Sequence, residues 1–106
     1  MSQEIRNLEP KALWNKFADL NAVPRPSKKE ERVIAFMMEF GQKLGLPTVK
    51  DHVGNVIIKK PATPGMENRK TIVMQSHLDM VHQKNNDTNF DFDTQGIEMY
   101  VDGDWV

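Results

Sequence analysis

Two kinds of apolar pattern alternate along the chain: helical spacing in its first half and short β-branched runs after it. Behind Pro10, the residues Leu13, Trp14, Phe17 and Leu20 recur at helical spacing. They predict a helix over residues 10–21 that turns this stripe toward a core. Val23-Pro24-Arg25-Pro26 stops it, since each proline disfavours the helical region for the residue before it. Ser27-Lys28-Lys29-Glu30 has the spacing of a capping box, with the serine hydroxyl and the glutamate carboxylate each serving the other residue's amide. A second apolar face follows in Val33, Ile34, Met37, Met38, Phe40 and Leu44, and Gly45 is placed to close it. Glu30 and Glu31 fall in the first turn of this helix, where the macrodipole favours carboxylates, so their role is structural.

Residues 48–53 and 55–59 read as two strands around Gly54-Asn55, a hairpin signal. A loop follows at Pro61-Ala62-Thr63-Pro64-Gly65. Residues 70–75 carry consecutive apolar side chains, as a strand covered on both faces does. Beyond Val81 the pattern dissolves into polar and acidic residues. There, Phe90 and Phe92 alternate with aspartates in the manner of an edge strand. Two helices, a hairpin and a buried strand predict an α/β unit, one that lacks the helix due after its last strand.

Composition narrows the classes. A chain of 106 residues holds one domain at most. Leu, Ile, Val and Phe make up about a quarter of it, above the level of disordered chains. No apolar run approaches the roughly 20 residues that span a bilayer, and the first residues, Met1 to Arg6, have no signal-peptide core. The absence of cysteine excludes a disulfide scaffold, a thiolate zinc site and a cysteine nucleophile, and it fits a reducing cytoplasm. A net charge of −1 gives no pull toward nucleic acid or membrane. The charge is unevenly spread, however: residues 85–106 hold six acidic side chains and no Lys or Arg. A solvated acidic surface is the simpler account of that stretch, and a cation or partner the sharper one.

The chemistry concentrates where the apolar run 70–75 leads into Gln75-Ser76-His77-Leu78-Asp79. Ligands of open α/β sheets gather at the carboxyl ends of strands. In extended backbone, residues two apart point the same way, which puts the imidazole and the carboxylate on one side. Neutral imidazole is a good zinc ligand, and a neighbouring carboxylate can orient the ring and raise its basicity. By spacing alone, a His-x-Asp after a strand is more often a hydrogen-bonded strand end than a metal site. His52 and His82 fit no ligand spacing with His77 and read as loop or surface residues.

The surrounding residues are more specific. Pro24-x-Pro26-Ser27 with Glu30-Glu31 comes first, then Asp51-x-Val53-Gly54-Asn55-Val56-Ile57-Ile58-x-Lys60-Pro61-Ala62-Thr63. Gly65-Met66-Glu67-Asn68-Arg69-Lys70, Gln75-x-His77-Leu78-Asp79-Met80-Val81 and Gln83-Lys84-Asn85-Asn86-Asp87-Thr88 follow, and Asp102-Gly103-Asp104-Trp105-Val106 closes the set. Read together, these stretches resemble the N-terminal part of aminoacyl-histidine (Xaa-His) dipeptidases, in metallopeptidase family 20. The resemblance implies a zinc-exopeptidase-like catalytic domain, of which residues 1–106 are the N-terminal part, with the lid and dimerisation domain absent. It implies a cytoplasmic hydrolase acting on dipeptides with a C-terminal histidine, and a complete protein that pairs as a homodimer. It also implies two zinc ions per complete site, replaceable by manganese or cobalt. The histidine matching His77 binds one metal, and the aspartate matching Asp79 serves catalysis by orienting that histidine. The family's bridging aspartate, its glutamate pair and its other ligands come later than Val106. Paired metals acidify a water and polarise the scissile carbonyl while a glutamate moves the proton. The 106 residues alone are therefore expected to be inert.

One alternative lies in the acidic stretch. Asp87, Asn89, Asp91, Asp93, Gln95 and Glu98 occupy positions 1, 3, 5, 7, 9 and 12 of a twelve-residue loop, the ligand spacing of a calcium-binding EF-hand. Phe92 stands where the sharp turn requires glycine, and no amphipathic helix flanks the loop. A small calcium-binding or interaction module centred on residues 87–98 is the competing reading.

Overall fold

A computed structural model describes residues 3–106; Met1 and Ser2, part of the stretch read for a signal peptide, lie outside them. The described residues divide into two compact units, residues 3–33 with Asp79–Val106, and Ile34–Leu78.

The first unit is built on α1, Lys11–Asn21, preceded by a 3-10 turn at Ile5–Asn7. Pro10 is the N-cap rather than the first helical residue. The side chain and carbonyl of Arg6 both meet Asn15, and Arg6 also pairs with Asp19 at 2.8 Å, which ties the turn to the helix. Ile5, Ala18 and Met99 form the buried core, with Leu8, Trp14, Ile97 and Val101 packed on it. The expected apolar stripe is therefore displaced around the helix. The inward line runs through Trp14, Ala18 and Asn21, while Leu13 and Phe17 are 57 % and 43 % exposed. The core is narrow enough that small Ala18 admits Ile5 and Met99, which leaves the larger side chains on the flank. Asn21 is buried with its groups satisfied: Nδ2 reaches Met99 Sδ, Oδ1 accepts from Arg25, and its carbonyl accepts the Ile97 amide at 2.7 Å.

The helix α2, Glu31–Lys43, begins later than the capping box requires. The Ser27 hydroxyl goes instead to Asp79, and Glu30 Oε1 accepts from the Lys28 amide at 2.7 Å, so the box does not form. Glu31 does occupy the first turn.

In the second unit, α2 ends in a Schellman motif. The Leu46 amide reaches the Gly41 carbonyl, the Gly45 amide reaches Gln42, and Gly45 has φ +71°. Strands β1, Thr48–Lys50, and β2, Val56–Ile58, pair antiparallel with Val49 opposite Ile57. The hairpin is shorter than expected because Asp51 starts the turn. Its Oδ1 accepts the amides of Val53 and Asn55, and Gly54 takes φ +94°. Those bonds hold the Asp51 carboxyl below its ordinary value, the Asn55 side chain contributing most.

The run 70–75 departs from expectation: it forms no strand, and Ile72, Val73 and Met74 are 84 %, 85 % and 94 % exposed. A central strand exists only through neighbours that take its amides and cover its faces, and among the described residues none pairs with it. The α/β class holds as two helices with one antiparallel pair.

Candidate functional site

Asp79 opens the return of the first unit, and the chain from Arg25 to Ser27 runs beside it. The Met80 amide donates to the Arg25 carbonyl at 2.9 Å, and the Ser27 amide donates to the Met80 carbonyl at 3.0 Å. The two bonds make a parallel bridge between Pro26 and Met80. The bridge carries the Ser27 hydroxyl onto the Asp79 carboxylate, with Oγ donating to Oδ2 at 2.6 Å. Such a length lies at the short end of the O–H···O range. Arg25 completes the surroundings: Nη2 donates to Asn21 Oδ1 at 2.6 Å. Burial draws its guanidinium below the ordinary value, and the Asp79 charge pushes the other way.

Beside this pairing lies a cleft of about 280 Å³, walled by Val23, Pro26, Met80, Phe90, Phe92 and Ile97. Phe90 and Phe92 meet edge-to-face at 4.9 Å, and His82 lies edge-on to Phe92 at 6.3 Å. The expected edge strand is absent, although both rings are half-buried and the aspartates between and after them exposed. A turn replaces it. Asp91 accepts the Asp93 amide and the Thr94 hydroxyl, and its own amide donates to Gln95 Oε1 at 2.6 Å. The Asp93 amide leads the contacts that hold the Asp91 carboxyl below its usual range.

That turn also engages several of the oxygens on which the calcium reading relies. Asp91 and Gln95 serve their own backbone, Asp93 pairs with Lys29 at 3.0 Å, and Phe92 is turned into the cleft lining. Among the described residues, no three His, Asp or Glu side chains gather as a metal site requires.

His77 lies in the second unit and is exposed, on backbone without regular structure. His52 is exposed in the hairpin turn. The donor chemistry suits a zinc ion at one ligand, an imidazole with a fixed carboxylate two residues on. A catalytic zinc takes three protein ligands, and the described residues do not assemble them. Sequence reasoning missed Ser27 and Arg25 as neighbours of Asp79. Their one signal is the stretch Pro24-x-Pro26-Ser27, whose two prolines preset an extended path.

The chain is 48 % identical over 103 residues to the cytosol non-specific dipeptidase of Escherichia coli (strain K12), covering 97 % of this chain and 21 % of that protein. Its fold matches the crystal structure of aminoacylhistidine dipeptidase from Vibrio alginolyticus with a TM-score of 0.88 and 46 % identity, over 95 % of this chain and 21 % of that one. The chain thus spans about a fifth of the length of these relatives. No family model matches it.

Proposed function

From a chain that corresponds in sequence and fold to about a fifth of an aminoacyl-histidine dipeptidase, we propose that the complete protein hydrolyses dipeptides, those ending in histidine among them, with two zinc ions. The observation that carries this reading is the identity of 48 % sustained over 97 % of the chain, a span that includes His77 and Asp79. His77 is the side chain of this segment that would hold a metal, through a neutral imidazole. Asp79 acts behind it as a positioning residue, its carboxylate fixed by Ser27 and its charge favouring one ring orientation. Zinc, when bound, supplies an activated water and a polarised carbonyl. The remaining ligands and the proton-carrying glutamate lie on other parts of the complete protein, so residues 1–106 alone are inactive on this reading.

The name of the Escherichia coli relative supports a cytosolic location for the complete protein. The described residues contain no helix long and apolar enough to cross a membrane. The test is hydrolysis of a panel of dipeptides by the complete protein before and after a chelator, followed by zinc, manganese or cobalt. Activity on Xaa-His dipeptides that is lost to the chelator and restored by zinc supports the reading. Turnover indifferent to the chelator overturns the metal assignment.

A further inference from the structure

We propose that Ser27 is a positioning residue for Asp79: its hydroxyl, fixed by the pairing of residues 25–27 with Met80, sets the direction in which the carboxylate presents its second oxygen. The inference rests on the reading of Asp79 above and carries it to a residue 52 positions away in the chain.

The contact itself is short, Oγ to Oδ2 at 2.6 Å. Holding one carboxylate oxygen fixes the plane of the group, and with it the direction in which the other oxygen can accept a donor. The main chain on both sides is pinned by the bonds of Met80 to Arg25 and of Ser27 to Met80, so serine and aspartate stay in register. The turn that presents Ser27 is costly in itself: Lys28 holds φ +71°, in the left-handed region, and the Lys29 amide closes the turn on the Pro26 carbonyl at 2.9 Å. A non-glycine residue persists there only when its surroundings fix it. Helix capping does not account for the hydroxyl, since α2 starts four residues later.

The test compares Ser27→Ala, Ser27→Thr, Asp79→Ala and the double variant Ser27→Ala/Asp79→Ala in the complete protein. Each is read by kcat, KM, thermal midpoint and zinc affinity from competition with a chromophoric chelator. Ser27→Ala is expected to lower kcat or zinc affinity about 10-fold, the low end for groups that orient a ligand. KM and the thermal midpoint should stay near wild type. Ser27→Thr, which keeps the hydroxyl, should restore most of the loss. On the Asp79→Ala background, Ser27→Ala should add nothing, because Ser27 acts through Asp79. Wild-type kcat and zinc affinity in Ser27→Ala, with Asp79→Ala impaired, overturn the proposal and leave the role of Asp79 standing. Wild-type behaviour of Asp79→Ala overturns both. A loss that Thr does not rescue, or that recurs in full without Asp79, assigns Ser27 to the fold alone and overturns the proposal.

Discussion

A carboxylate that accepts a 2.6 Å hydroxyl bond, with a half-buried arginine nearby, is a prepared group rather than a surface charge. Removing it should damage activity more than folding. In Asp79→Ala the Ser27 hydroxyl can turn to the Met80 carbonyl, which already lies 3.2 Å away. The stability loss should then stay near the roughly 1 kcal/mol of one net hydrogen bond. The activity of the complete protein is expected to fall about 10- to 100-fold. Urea unfolding and dipeptide turnover of one preparation check the pair, and a variant that unfolds with its activity per folded molecule intact contradicts it. Lys28 gives the opposite kind of test. Its left-handed backbone suits glycine, and its side chain is exposed. Lys28→Gly should leave the protein as stable or about 0.5–1 kcal/mol more stable, read as a shift in the urea midpoint. A clear destabilisation would mean that the lysine side chain holds the turn. Neither residue's situation was legible in the sequence. The Ser27 pattern does describe a capping box, but a carboxylate 52 residues away outcompetes the local amide, and such a competitor leaves no local trace.

At the scale of elements, local rules served where the partners were local. The Gly45 closure of α2 and the existence of a hairpin around Gly54 are settled within a few residues of chain and stand as the pattern predicts. Pro10, however, caps α1 rather than opening it, and the hairpin strands are shorter than predicted. The helical stripe of α1 was misread because spacing names a face without saying how wide the opposing core is. The ends of elements also carry sharp tests. A Cβ on Gly96 would lie 2.6 Å from the Ala22 carbonyl oxygen, backbone against backbone at the end of α1. Gly96→Ala should therefore cost about 1–3 kcal/mol, measurable as a lowered urea midpoint. In the hairpin turn, the Asp51 carboxyl titrates below its ordinary value of 3.8 because it accepts bonds from Asn55 and Val53. A group depressed in this way contributes stability above its unfolded pKa, lost as pH falls through the folded one. The amide resonances of Val53 and Asn55 should thus hold their positions down to about pH 4 and move only below it. Movement centred above pH 5 would contradict the turn geometry.

For the whole molecule, the fact that matters most is that this chain matches about a fifth of its relatives. Ile72, Val73 and Met74 stand almost fully exposed, a continuous apolar run of the kind that marks a surface meant to be covered. The sequence pattern predicts a strand there, and among the described residues no neighbour pairs with the run. Amide hydrogen exchange on the complete protein should find residues 72–74 protected as in a central strand. Rapid exchange there would mean that the run stays exposed. In the proposed function, His77 holds a catalytic zinc. The most direct measurement is zinc content and Xaa-His dipeptide turnover of the complete protein against His77→Ala, with folding of both verified. The folded variant is expected to bind less zinc than wild type and to lose nearly all turnover. A folded His77→Ala protein with the wild-type zinc content and rate would contradict it.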